Sequence, residues 1–218
     1  MVEAQHVVST SKIVDTQAEQ DLLEDILEEH KPPIPEAALN LHYLLFSPFR
    51  YETLYPSGSR FRAVGDTGVF YAAETVHAAA AEAGYWRWRF MQDTSGLERL
   101  GPCPFTAFRV PIKADNIDLR EPPFASEAEK WQHPTDYSAT QAIGKVARDA
   151  GIGTILYQSV RDPEGHFCVA VLTPLAFAAK KPDSATQTWS LAISAEEAIW
   201  MRQDHESFSF RTDFWEPH

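Results

Sequence analysis

The stretch from Thr154 to Leu172 constrains the fold more than any other part of the chain. Two apolar runs, Thr154 to Val160 and His166 to Leu172, flank Asp162-Pro-Glu-Gly165, whose proline and glycine suit a tight reversal. The spacing predicts a strand hairpin. Alternation along His166-Phe-Cys-Val-Ala-Val-Leu172 reads as a strand with a buried thiol, and the four-ligand spacings of a zinc site are missing around His166 and Cys168, so no metal is expected. Helical patterns precede the hairpin. Thr75 to Phe90 is alanine-rich with Thr75 as N-cap, and Asp136 to Ala150 is amphipathic and closed by Gly151. Strands are expected at Gly68 to Ala72, Phe105 to Ile112, Asn116 to Arg120, Gln187 to Ile193 and Ser207 to Arg211. Ser126-Glu-Ala-Glu129 has capping-box form. The class is mixed α+β.

Before this core lies Gln17 to Glu29, where Leu22, Leu23, Ile26 and Leu27 form one stripe with acids opposite, and Lys31-Pro-Pro33 ends the pattern. The Pro-rich segment to Pro35 marks the boundary, with the core beginning near Leu41. The 218 residues suffice for one domain with a terminal extension. With 31 acids against 19 bases the net charge is −12, which disfavours nucleic acid and anionic lipid as direct partners. The charge is uneven: nine acids and two bases to Asn40, six and eight from Leu41 to Lys113, sixteen and nine thereafter. The middle segment is the basic one. No apolar run approaches the ~20 residues of a membrane span. Two cysteines and no charged n-region before an apolar stretch fit a cytoplasmic protein with reduced thiols.

Standard catalytic motifs fail. Gly151-Ile-Gly153 precedes its strand instead of following one, and neither a Walker A lysine nor a Gly-x-Ser-x-Gly elbow is present. Glu82 is the most informative residue. Its helical neighbours are Ala78, Ala79, Tyr85 and Trp86, so no local cation pairs with it; the carboxylate either turns to solvent or faces a pocket. Arg50, Arg60 and Arg62 sit in a turn-rich stretch. Their guanidiniums either fork onto phosphate oxygens or pair structurally with Asp66 or Glu52. Tyr71 ends a short strand ahead of the Glu82 helix, where its ring either stacks on a ligand or joins the core. Ser159 ends an apolar strand with no histidine visibly paired to it, which favours positioning over covalent catalysis.

Taken in order, Phe49-Arg-Tyr51, Ser59-Arg-Phe61, Gly68-Val-Phe-Tyr-Ala-Ala73, Ala80-Ala-Glu82 and Leu156-Tyr-Gln-Ser-Val-Arg161 resemble the RES domain. That family is named for an arginine, a glutamate and a serine, and is found as the toxin of bacterial RES–Xre toxin–antitoxin modules. The resemblance covers Leu44 to Leu172, with the C-terminal tail included. Where many members carry a Gly-Gly-Arg-Trp-Asn-like stretch, this chain has Gly58-Ser-Arg-Phe-Arg62, which leaves open whether Arg60, Arg62 or both are used. The resemblance implies an ADP-ribosyltransferase-like α+β fold, a mixed sheet core with flanking helices. Residues 1–40 are then an acidic helical extension, and residues 41–218 the catalytic domain. It also implies NAD+ as a consumed substrate, with no separate cofactor. Glu82, Arg50 and Ser159 would be catalytic: Glu82 acts at the reacting ribose, Arg50 with Arg60 holds pyrophosphate or ribose, and Ser159 orients substrate or Glu82. Tyr71 would face the nicotinamide ribose or ring, with Tyr51 and Arg62 as further contacts.

Nicotinamide leaves as a neutral molecule while an oxocarbenium ion develops, so a buried anion is the appropriate catalyst and arginines offset the pyrophosphate. The expected function is a toxin that degrades NAD+ with phosphate or water as acceptor. Its expected partners are a cognate Xre-type antitoxin and a second copy of the chain; the leucine stripe either packs on the domain or meets one of these two. Transfer of ADP-ribose to a cellular protein is the second expectation, and a non-enzymatic antitoxin-binding module the third.

Overall fold

A computed structural model describes residues 1–4, 13–51, 57–203 and 206–216. Glu52 and Pro56 lie outside the described residues. The chain is α+β, with two sheets. Strands β1 (Val2–Glu3), β2 (Phe70–Ala73), β3 (Leu100–Ala107), β4 (Asn116–Asp118), β5 (Thr154–Gln158), β6 (Phe167–Val171), β7 (Gln187–Ile193), β8 (Glu197–Arg202) and β9 (Ser207–Arg211) are joined with helices α1 (Gln17–Glu29), α2 (Tyr43–Arg50), α3 (Val76–Asp93), α4 (Ala128–Trp131) and α5 (Ser138–Asp149). The larger sheet is antiparallel in the order β1-β3-β7-β8-β9. The smaller runs β2-β6-β5-β4 and is mixed, because β4 lies parallel to β5.

The expected hairpin is the centre of the smaller sheet, with Tyr157 opposite Cys168 and Ile155 opposite Ala170. Period-two alternation sends these four side chains to one face, where they pack with Phe61 and Ala147. Val171 and Phe70 go to the other face, with Leu45 and Phe49 of α2. Side chains pack on both faces of β6, and its Phe167-Cys-Val-Ala-Val171 run is apolar throughout. The larger sheet buries Trp189, Leu191 and Trp200 against Ala80, Ala81, Tyr85 and Trp88 of α3. Trp189, Trp200 and Trp215 are fully buried; burying a large apolar side chain contributes on the order of 2–3 kcal/mol. Helix α3 touches strands of both sheets, β2 and β6 on one side and β7 and β8 on the other.

Several expectations need correction. The strand expected over Phe105 to Ile112 runs from Leu100 to Ala107, and Phe108, Val110 and Ile112 leave the sheet to pack in the cluster around Phe70. Ser126 does not cap a helix; its hydroxyl donates to Pro123 O at 2.8 Å, and α4 starts without a side-chain cap. The capping box is at α1 instead. Thr16 Oγ1 accepts from Glu19 N at 3.2 Å while Glu19 Oε2 accepts from Thr16 N at 3.1 Å. Residues 2–3 of the N-terminal extension join the edge of the larger sheet beside Phe105 and Thr106. Among the described residues no helix is long and apolar enough to cross a membrane.

Candidate active site

The turn before β2 aims Arg60. Gly58 has φ +67°, and a Cβ there would lie 2.1 Å from Arg62 O, so only glycine fits. Ser59 and Arg62 then close a backbone pair, Ser59 N to Arg62 O at 2.8 Å and Arg62 N to Ser59 O at 3.0 Å. Helix α5 holds this turn from outside. Gln141 Nε2 donates to Ser57 O and Ser59 O at 2.8 and 3.1 Å, and Arg148 Nη2 donates to Phe61 O at 2.8 Å. Arg60 turns inward and is buried. Its Nη1 donates to Trp131 O at 2.9 Å and His133 O at 3.1 Å, and its guanidinium stands 4.8 Å from the Tyr137 ring centroid.

Strand β2 and helix α3 follow directly, which brings Tyr71 and Glu82 to the same place. The Tyr71 hydroxyl accepts from Phe61 N at 3.0 Å and shares a hydrogen bond with Ser59 Oγ at 2.8 Å. The residue is 38% exposed, but burial of its hydroxyl raises the phenol pKa, so the group stays neutral. Glu82 Oε1 accepts a 2.7 Å hydrogen bond from Ser159 Oγ. The same Ser159 oxygen accepts from Arg161 N and Asp162 N, both at 3.2 Å. The β5–β6 turn thus seats the serine, and the serine seats the carboxylate. Cys168 Sγ lies 3.8 Å from Glu82 Oε1, and burial followed by the Glu82 charge pushes its thiol pKa up, away from nucleophilic chemistry.

These groups line a cavity of about 430 Å³ together with Tyr85, Trp86, Tyr137, Tyr157 and Arg161. The structure brings Arg60, Tyr71 and Glu82 to its wall and places Ser159 directly behind Glu82. Arg50, Tyr51 and Arg62 are not in the lining. Arg50 Nε donates to Pro32 O at 2.6 Å and its Nη1 pairs with Glu28 Oε1 at 2.7 Å, so this guanidinium ties α1 to α2. Arg62 donates to Asp66 O at 3.1 Å and to Tyr51 O at 2.7 Å, using the backbone of Asp66 and not its carboxylate. Arg161 was not singled out from the sequence. It is buried, with its guanidinium 3.5 Å from the Tyr85 ring centroid and a hydrogen bond to Pro134 O. Tyr85 and Trp86 were legible only as helical neighbours of Glu82, and Tyr137 enters from another part of the chain. The lining therefore sets two guanidiniums and four aromatic rings beside Tyr71 around one carboxylate.

A model of the RES domain family matches residues 34–194. The chain belongs to the RES domain family. The matched span of this RES domain begins at the Pro-rich segment, includes every site residue named above, and ends just after β7. No curated protein matches the chain.

Proposed function

We propose that this RES domain cleaves the nicotinamide–ribose bond of NAD+, passing ADP-ribose to phosphate or water, and that it acts as a toxin held in check by an Xre-type antitoxin. The observation that carries this reading is Glu82 at the cavity wall, fixed by the 2.7 Å hydrogen bond from Ser159. A carboxylate so held stabilises an oxocarbenium centre without having to reorient as the charge develops, and it can accept hydrogen bonds from the ribose hydroxyls. Ser159 is a positioning residue in this scheme. Its oxygen already accepts two backbone hydrogen bonds, it lies behind Glu82 and not in the cavity lining, and its proton goes to the carboxylate that the scheme keeps charged at the ribose, so it does not attack the substrate. Arg60 and Arg161 supply positive charge for the pyrophosphate, and Tyr71, Tyr85, Trp86 and Tyr137 offer faces for flat rings.

Purified chain incubated with NAD+, with and without phosphate, is expected to release nicotinamide. Dependence on phosphate identifies the phosphorolytic acceptor, and a labelled protein band would make the acceptor a protein side chain. Glu82→Gln keeps the shape of the side chain but removes the charge, and is expected to lower turnover about 10²–10³-fold with the fold intact by circular dichroism. Nicotinamide release by Glu82→Gln at the rate of the unsubstituted chain overturns the assignment.

A further inference from the structure

Outside the cavity, three donors from three elements converge on the other side of the β5–β6 turn. His77 is in the first turn of α3, Asp162 is in the turn itself, and His166 immediately precedes β6. Their ligating atoms all lie within 4.8 Å of one another. Asp162 has a fully buried side chain, and its Oδ2 accepts from His166 Nδ1 at 2.6 Å. Its Oδ1 lies 3.3 Å from His77 Nδ1, yet that nitrogen is buried and makes no hydrogen bond. An unbonded buried nitrogen costs about 1–3 kcal/mol if nothing satisfies it. Glu164 stands over the pair, with carboxylate oxygens 3.8 and 3.9 Å from the Nε2 atoms of His77 and His166. Phe208 and Phe210 wall the far side, their ring centroids 5.0 and 4.7 Å from that of His77.

We propose that His77, Asp162 and His166 bind a zinc ion that clips the N-terminal turn of α3 to the β5–β6 turn. Two donors about 2.0–2.1 Å from one tetrahedral ion stand about 3.3 Å apart, which is the separation of His77 Nδ1 from Asp162 Oδ1. The His166–Asp162 pair is closer because a proton lies between them. On binding, that proton leaves to water from an imidazolium or moves to Nε2 of a neutral ring, the pair opens by about 0.7 Å, and both imidazoles ligate as neutral rings through Nδ1. Two nitrogens and one oxygen suit zinc better than calcium or magnesium, which take oxygen ligands. A water completes four-coordination, while Glu164 stands on the Nε2 edge of both rings, where it can accept their N–H protons. No residue of the spacing around His166 reveals the site, since His77 is 89 positions away in sequence.

The test uses the full chain, stripped with chelator and re-equilibrated with zinc sulfate, with metal content, calorimetry and thermal unfolding as readouts separate from turnover. One zinc per chain is expected after gel filtration, with a raised Tm. His77→Gln and His166→Gln are each expected to weaken binding by at least about tenfold, a loss at least as large as outer-sphere substitutions cause, while His133→Gln leaves it unchanged. Cobalt(II) in place of zinc is expected to give the strong visible absorption of a tetrahedral site; this readout needs no variant to fold. Folded chain that retains no stoichiometric zinc, lacks the tetrahedral cobalt spectrum, or binds equally well as His77→Gln or His166→Gln overturns the proposal.

Discussion

Ser159 makes one donated and two accepted hydrogen bonds through a single oxygen, all within 3.2 Å. Removing that oxygen has two separable consequences. The N–H groups of Arg161 and Asp162, in a turn where both residues are buried, lose their acceptor, which costs about 1–3 kcal/mol. Glu82 loses the donor that fixes its rotamer, so the carboxylate must be ordered anew in each catalytic cycle. Ser159→Ala is therefore expected to lower kcat about 10–100-fold with a smaller change in KM for NAD+, and to lower Tm by several degrees. A rise in KM alone, measured by nicotinamide release, would instead put the hydroxyl on the substrate.

At the scale of elements, the contact between α2 and the turn into β2 is the tightest that a single atom would break. A Cβ on Gly68 would lie 1.7 Å from Pro48 O and 2.6 Å from Pro48 C, both backbone atoms that no rotamer change can move. Gly68→Ala is expected to destabilise by about 3 kcal/mol, at the upper end of overpacking effects, a fall in Tm of about 6–12 °C by thermal unfolding. Gly101→Ala, where a Cβ meets nothing within 4 Å, should change stability by less than about 0.5 kcal/mol. The same helix α2 was not read from the sequence, because Pro48 sits inside it and proline normally argues against a helix interior. In an eight-residue helix that opens with His42 Nδ1 accepting from Leu44 N, few backbone bonds remain for the proline to remove. Strand β8 was missed for another reason: Glu197-Ala-Ile-Trp-Met-Arg202 alternates, but with Ile199 and Met201 outward the apolar run looks helical as readily as extended. Pro102 and Pro104 masked the start of β3, where the register also shifts between Leu100 and Cys103. The hairpin, α3 and α5 were legible because their periodicity is unbroken. Within the site, the chain order of Arg60, Tyr71, Glu82 and Ser159 carried the family resemblance, and Arg161 stood in the same passage as Ser159 without a role that spacing could assign, while Tyr137 meets Arg60 across more than seventy residues, a pairing that no local spacing encodes.

For the molecule as a whole, the −12 charge divides into acidic ends and a basic middle, and the cavity draws Arg60, Tyr71 and Glu82 from that middle. Arg50 belongs to the same segment but serves the acidic extension. Helix α1 buries none of its residues, and Leu22, Ile26 and Leu27 stay exposed; among the described residues Arg50 links it to the core by bridging Glu28 and Pro32 O. Exposed ion pairs contribute little, about 0–1 kcal/mol; here the Arg50 side chain is mostly covered while Glu28 stays open to solvent. Arg50→Ala is therefore expected to free α1, seen as faster proteolytic cleavage near Lys31, with Tm lowered by no more than about 2–4 °C. If Arg50 acts only as this tether, nicotinamide release by Arg50→Ala falls less than about tenfold, whereas Arg60→Ala, which removes a guanidinium from the cavity wall, loses at least 10-fold more. A loss in Arg50→Ala as large as that in Glu82→Gln would mean that Arg50 leaves Glu28 and enters the cavity when substrate binds, and the acidic extension would then compete directly with NAD+ for one guanidinium.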